Sequence, residues 1–225
     1  MNVVVLTGAG ISRESGIKTF RDEDGLWAGY NIEEVCTPTA LARDPQKVLD
    51  FYNLRRREVA ACEPNAGHFA LAELEKYADV TVVTQNIDDL HERAGSTNVI
   101  HIHGEVFKAR SIDDDELIVE VRGDFNLGDL APDGGQLRPH VCFFHEMPYR
   151  WNEVAFLAMD ADVFAVIGTS LNVYPAAGLV DVTKAKSIYI IDPNPPRVAS
   201  RWGNIEVIAE PATSGVQRLV EVLRN

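Results

Sequence analysis

Residues 78–95 read ADVTVVTQNIDDLHERAG. The run DVTVVT (79–84) is rich in Val and Thr and alternates poorly, as a strand covered on both faces should. It ends abruptly in Gln85, Asn86 and Asp88, with Asp89 beside them. Two readings meet here. A surface turn would be as polar, with Asn86 or Asp88 capping the next helix. In an open α/β sheet, by contrast, ligands bind outside the carboxyl ends of the strands, where two amides and a carboxylate would serve a site. Asp89, ahead of Glu92 and Arg93, is assigned to the solvated face of a helix that Gly95 ends.

Similar runs recur along the chain: NVVVL (2–6), NVIHI (98–102), DVFAVIG (162–168), SIYIID (187–192) and EVIAE (206–210). Helical patterns lie between them, in AGHFALAELEKYA, VAFLAMD, PAAGLVDVTKA and GVQRLVEVLR. The alternation predicts an α/β fold built on a doubly wound parallel sheet. Two segments break the rhythm. Residues 22–65 hold no good strand but a helix started by Asp44 as N-cap and Pro45 as its first residue. Residues 104–142 contain SIDDDELIVEVRGD and APDGGQLRP, a hairpin with a turn-rich return. Read together, the two insertions form a small lobe over the sheet. The acidic run Asp113–Glu116 reads as a solvated turn.

Composition narrows the function. The 225 residues suit one large domain or a domain with a small lobe, and 46% hydrophobic content is ample for a core. A net charge of −13 argues against a dedicated nucleic-acid surface. Cys36, Cys62 and Cys142 lie far apart without a C-x-x-C, which argues against a disulfide framework and a cysteine-built zinc site. VVVL follows the first residues without a basic or long apolar leader, and no apolar run approaches the ~20 residues of a spanning helix. The expectation is a cytoplasmic protein that meets no membrane.

Three further stretches carry chemistry. LTGAGISRESGIKTFRD follows the first strand. Gly8 and Gly10 permit a tight turn, and either serve that turn alone or let backbone approach a diphosphate at the next helix. Arg13 stands where a third glycine of G-x-G-x-x-G would be. HIHG places His101 and His103 on one face of a strand. A metal pair is one reading, but no third ligand with matching spacing is evident. At the ligand edge, beside Gly104, His103 reads better as a general base and His101 as its packed or hydrogen-bonded neighbour. GTSLNVYPAA ends the fourth strand with Gly168, Thr169 and Ser170, small groups suited to ribose and phosphate.

In their order, GAGISRESGIKTFR, TQNIDDLHERAG, HIHG, LRPHV and GTSLNVYPA resemble the motif set of the sirtuins, NAD-dependent protein-lysine deacylases, over nearly the whole chain. The resemblance implies a Rossmann-like NAD-binding domain (1–21, 66–103 and 143–225) and a small domain (22–65 and 104–142). It implies an NAD site lined by Gly8, Ala9, Gly10, Ile11, Ser12, Thr19, Phe20, Arg21 and Trp27. Gln85, Asn86, Ile87, Asp88, Gly168, Thr169 and Ser170 continue that site, with Asp192, Asn194 and Ala212 beyond them. By the same likeness Asn86 and Asp88 hold the nicotinamide end, and His103 deprotonates a ribose hydroxyl. The products are deacylated lysine, nicotinamide and O-acyl-ADP-ribose. The partners are acylated-lysine proteins or peptides, with Val141, Phe143 and Phe144 among the substrate contacts.

The helix DPQKVLDFYNLRRREV carries an apolar stripe of Val48, Tyr52 and Val59, on which Arg55 falls. Successive arginines fan by about 100° each, which sends Arg56 and Arg57 to solvent. Tyr52 and Arg55, at i and i+3, can meet on the inward face. The pair resembles the Tyr-x-x-Arg of class III sirtuins, which take succinyl- and malonyl-lysine. Departures from the family are equally plain. Residues 104–140 contain no cysteine, whereas most sirtuins place two C-x-x-C pairs there for zinc, so the expectation is no zinc. His145 stands in Phe143-Phe144-His145-Glu146 where glycine is usual, and Asp192 where asparagine is usual. A plain deacetylase, an NAD glycohydrolase or ADP-ribosyltransferase, and an NAD-binding sensor without turnover stay open as alternatives.

Overall fold

The computed structural model of the protein describes residues 1–18, 31–196 and 204–224. In chain order its strands are β1 (Asn2–Thr7), β2 (Asp79–Thr84), β3 (Val99–His101), β4 (Gly104–Ser111), β5 (Ile118–Glu120), β6 (Leu137–Val141), β7 (Val163–Ile167), β8 (Ser187–Ile191) and β9 (Ile205–Ile208). Its helices are α1 (Ala9–Ser12), α2 (Ile32–Val35), α3 (Pro38–Arg43), α4 (Pro45–Ala60), α5 (Ala66–Leu74), α6 (Leu90–Ala94), α7 (Trp151–Asp160), α8 (Leu179–Val182) and α9 (Ala212–Arg224).

Six strands pair in parallel in the order β3-β2-β1-β7-β8-β9. Alternate residues of β1 feed opposite layers, as a period of two requires. Val3 and Val5 pack with Leu71 and Leu74 of α5 and Val216 and Leu219 of α9. Val4 and Leu6 pack with Val154 and Ala158 of α7 and Leu179 and Val180 of α8. This is the doubly wound sheet that the alternation predicts. The strand order reverses between β1 and β7, and a crevice at such a switch point is where ligands bind in open α/β sheets. The helix expected over PAAGLVDVTKA is shorter, a 3-10 turn at Ala176–Gly178 followed by α8. Gly178 and the β-branched Thr183, both poor helix formers, bracket it.

A second sheet is antiparallel, with β4 between β5 and β6. The acidic turn Asp113–Glu116 is exposed, as expected of a charge run. Leu49 of α4 meets Ala109, Phe125, Ala131 and Leu137, while Val48, Phe51 and Tyr52 meet Val141 and Phe143. The return from β5 to β6 is tied by one amide. Gln136 Nε2 donates to the carbonyls of Asn126, Asp129 and Leu137, and its Oε1 accepts from Gly128 N at 2.8 Å. Asp44 caps α4, accepting from Lys47 N at 3.2 Å, with Pro45 in the first turn.

The fan of arginines on α4 is a correction. Arg56, expected in solvent, is 1% exposed. Its guanidinium donates to Val106 O at 2.9 Å, Asn53 Oδ1 at 2.7 Å and Gly123 O at 3.3 Å, and lies over the Phe125 ring. The start of β4 and the 123–125 turn cover this face, so the core of α4 is wider than its apolar stripe. Arg57 is exposed, as expected, and pairs with Asp124. Among the described residues no helix is long and apolar enough to cross a membrane.

Candidate active site

The carboxyl ends of β1, β2 and β7 meet at the switch point. Gly8 N donates to Ile167 O at 3.0 Å and Gly10 N to Gly168 O at 2.8 Å. A Cβ on Gly10 would lie 2.6 Å from Gly168 Cα, and one on Gly8 2.7 Å from Thr169 Cβ. These glycines thus let two turns touch backbone to backbone. Gly168 itself has φ +62°, a conformation that favours glycine.

The loop after β2 closes one side. Gln85 Nε2 donates to Thr169 Oγ1 at 3.2 Å. Asn86 Nδ2 donates to Gly8 O at 3.1 Å and to Ser12 Oγ at 3.2 Å. Ser12 Oγ donates to Asp88 Oδ2 at 3.0 Å, and Leu90 N donates to Asp88 Oδ1 at 3.2 Å. The capping expectation holds for Asp88, which accepts from Leu90 N. Asp88 serves the start of α6, and its carboxyl is buried, which pushes it up to about 6 against those two hydrogen bonds. Asp89 occupies the N-cap position of α6 without a side-chain cap. It is less solvated than expected, because it lies 3.1 Å from Arg122 and 3.7 Å from Arg93 at a charged cavity of about 300 Å³ that borders Ile87.

Two site residues escape the sequence reading. His68 accepts from Asn65 N through Nδ1 at 3.2 Å, so its Nε2 carries the hydrogen and faces Ser12 Oγ at 3.4 Å. Burial holds the ring neutral, down to about 4. Asn65 caps α5 and donates to Ile11 O at 2.8 Å. The signal was an Asn three residues before a His at a helix start, which reads as capping alone.

β3 ends at His101, so His103 lies in the turn before β4 rather than on the same strand, yet both rings meet the Gln85–Asn86 backbone. His103 Nδ1 lies 3.0 Å from Gln85 O, which can only accept, so Nδ1 carries the hydrogen. Burial lowers its pKa, partly offset by that carbonyl, and the neutral ring keeps a lone pair on Nε2. His101 Nδ1 lies 3.0 Å from Asn86 O and Nε2 2.7 Å from Glu92 Oε1. Burial disfavours its charge, but Glu92, Glu105 and the Asn86 carbonyl prevail and raise its pKa.

Ala9, Ile11 and Ser12 are in α1, and Ser170 follows Thr169 at the rim. Asp192 follows β8 at the same edge, its Oδ1 accepting from Asn194 N at 2.8 Å. Ala212 is buried in the core at the start of α9. Thr19, Phe20, Arg21 and Trp27 lie outside the described residues. Tyr52 and Arg55 are on adjacent turns but have separate partners. The Tyr52 hydroxyl donates to Cys36 Sγ at 3.1 Å, and Arg55 pairs with Glu58 at 2.7 Å. Tyr52 stacks on Phe143 at 5.8 Å beside Val141, while Phe144 is partly exposed. His145, at the position read as a replaced glycine, has φ +73°.

The profile of the Sir2 family matches residues 8–175. An NAD-dependent protein deacylase of Aggregatibacter actinomycetemcomitans is 56% identical over 193 residues, covering 85% of this chain and 93% of that protein. One from Helicobacter pylori (strain ATCC 700392 / 26695) is 50% identical, covering 99% and 97%. Among solved structures, a Sir2 homologue–NAD complex superposes with a TM-score of 0.87 at 39% identity, covering 99% of this chain and 89% of that one. A Sir2 protein with a deacetylated p53 peptide and 3'-O-acetyl ADP-ribose gives 0.81 at 29% identity, covering 98% and 92%. With its motifs and sheet order in agreement, the chain belongs to the Sir2 family.

Proposed function

We propose that this Sir2-family enzyme is an NAD-dependent protein-lysine deacylase that favours succinyl and malonyl groups over acetyl. NAD is its cofactor and supplies, when bound, a ribose carbon that becomes electrophilic as nicotinamide leaves and accepts the acyl oxygen. The residues present fit a dinucleotide. The Gly8–Gly10 and Gly168 turns put bare backbone at the switch point, and Thr169 and Ser170 add hydroxyls at its rim. Asp192 suits a ribose diol and repels an extra phosphate. Asn86 and Asp88 face the nicotinamide end. The observation that carries the reading is the fixed tautomer of His103, whose Nδ1–H on Gln85 O leaves Nε2 free to take a proton from a ribose hydroxyl.

In this reading residues 1–21, 66–103 and 143–225 hold the dinucleotide. Residues 22–65 and 104–142 form the small lobe, which carries the acyl pocket and folds without zinc. The absence of cysteine from residues 104–140 supports that statement. The enzyme acts in the cytoplasm on acylated-lysine proteins, without nucleic-acid or membrane partners. The acidic-acyl preference rests on Tyr52 and Arg55, a phenol and a guanidinium suited to a carboxylate. A plain deacetylase is the second reading, favoured by the Arg55–Glu58 and Tyr52–Cys36 contacts that an acidic acyl group would displace.

Mass spectrometry of products from NAD with acetyl-, succinyl- and unmodified peptides tests the proposal. The expected result is O-succinyl-ADP-ribose formed at higher kcat/KM than the acetyl product. Acetyl product alone selects the plain deacetylase, free ADP-ribose without acyl transfer selects the glycohydrolase, and ADP-ribosylated peptide selects the transferase. NAD binding without turnover selects the sensor.

A further inference from the structure

The reaction described above uses His103 and leaves its neighbour on β3 without a task. We propose that His101 is a positioning residue, whose ring ties the Asn86 carbonyl to the Glu92 carboxylate on α6 and so holds the Asn86–Asp88 turn in its working shape. The inference rests on the reading of that turn as the nicotinamide end.

The geometry carries it. The His101 side chain is 7% exposed, and both ring nitrogens face oxygens. A backbone carbonyl can only accept, so Nδ1, at 3.0 Å from Asn86 O, carries a hydrogen. At 2.7 Å from Glu92 Oε1, Nε2 donates as well, and the ring is the imidazolium. Consecutive carbonyls of one turn are thus gripped from one side, Asn86 O by His101 at the end of β3 and Gln85 O by His103 in the turn that follows. The two grips differ in kind. His103 is a neutral ring with a lone pair to use, whereas His101 has no lone pair left.

A shift of the Asn86 backbone would displace two contacts at once. The Asn86 amide reaches Gly8 O and Ser12 Oγ, and Ser12 in turn donates to Asp88. Holding groups of this kind fix the orientation of those that meet ligand. The charged and titratable groups around His101 are Glu92 and His91 from α6, Glu105 from β4 and Asp88 from the turn. Burial keeps His91 neutral, and Lys108 pairs with Glu105 at 2.7 Å, so Glu92 is the counter-ion in contact.

The test compares His101→Leu, His101→Asn and His101→Gln in exchange of labelled nicotinamide into NAD with an acylated peptide present. The Asn amide N–H occupies the place of Nδ1 and keeps the Asn86 bond, whereas the Gln amide imitates Nε2 and keeps the Glu92 bond. Expected is a fall in kcat/KM for NAD on the order of 10–100-fold in His101→Leu, the scale of a small misplacement at a reacting group. The peptide KM should stay unchanged. His101→Asn should recover most of the loss and His101→Gln little. Should His101→Leu fail to fold, the Asn and Gln variants still decide. Glu92→Gln keeps a hydrogen-bond acceptor but removes the charge, so the alkaline limb of the kcat/KM profile should move to lower pH. An Asn variant no better than Leu or Gln at equal melting temperature, or an alkaline limb that does not move, overturns the inference. Wild-type protein without nicotinamide exchange overturns the functional reading and the inference with it.

Discussion

Asp88 is kept ionisable in a place that resists its charge. Burial raises its carboxyl from 3.8 to about 6, so the folded state holds the proton more tightly than the unfolded chain. Stability from this group is then highest below pH 4 and falls as pH rises toward 6. The difference corresponds to about 3 kcal/mol above that window. Asp88→Asn removes that cost, less about 1 kcal/mol because the amide must now donate to Ser12 Oγ rather than accept from it. Thermal or urea denaturation should show the variant about 2 kcal/mol more stable at pH 7.5 and no more stable than wild type at pH 4, while nicotinamide exchange is lost. A variant less stable at pH 7.5 would refute the account. His103→Ala makes the complementary case. Turnover should fall by roughly 10²–10⁴, and calorimetry should find NAD affinity nearly intact. Near-normal deacylation would remove His103 from its role.

Much of the site was legible at this scale because its residues cluster in short motifs at strand ends, where a buried strand and a polar turn both show in sequence. Gln85, Asn86, Asp88 and His103 are of this kind. His68 and Asn65 were not, because their part is played through Ser12, which is distant in sequence, and only the folded backbone brings them together. The tautomers of His101 and His103 were also hidden, since each depends on which carbonyl the ring meets.

Among the elements, α4 shows where reading a helix by its stripe fails. The pattern correctly buried Val48, Tyr52 and Val59. It placed Arg56 in solvent because nothing local announces the carbonyls of Val106 and Gly123, which come from segments far along the chain. Arg56→Met should destabilise the fold by about 1–3 kcal/mol, the cost of leaving buried neutral acceptors without their donor. Arg56→Lys should recover little, because a single ammonium cannot span the same fork of acceptors. A chemical denaturation midpoint equal to wild type in Arg56→Met would show the contacts to be idle. Arg55 belongs to the same helix but to a different test. Arg55→Met should cost succinyl-lysine turnover about 1.5–3 kcal/mol in kcat/KM and leave acetyl-lysine turnover unchanged or raised. Equal losses on both substrates would make Arg55 structural and end the acidic-acyl assignment.

At the scale of the whole molecule, the parallel sheet was readable from its Val- and Ile-rich runs, and the second sheet from its hairpin. The strand order was not, because nothing within a strand records which neighbours it will take. Residues 104–140 carry no cysteine, and the return segment of the second sheet is tied by Gln136. Incubation with a strong chelator should leave both melting temperature and deacylation unchanged, whereas a chelator-dependent loss that zinc restores would disprove zinc-free folding.

The strand order has a consequence during synthesis. β1 lies at the heart of the sheet, paired with β2 on one side and with β7 on the other. On the ribosome, β1 and β2 emerge long before Val163–Ile167 of β7. Until then Val3–Leu6 present an unpaired apolar edge, the kind of surface that recruits chaperones or joins neighbouring chains. The turn at Gly8–Gly10 likewise has nothing to rest on. A nascent chain halted before β7 therefore carries most of the motifs in order while Gly8 N and Gly10 N still lack the Ile167 and Gly168 carbonyls they meet in the finished fold.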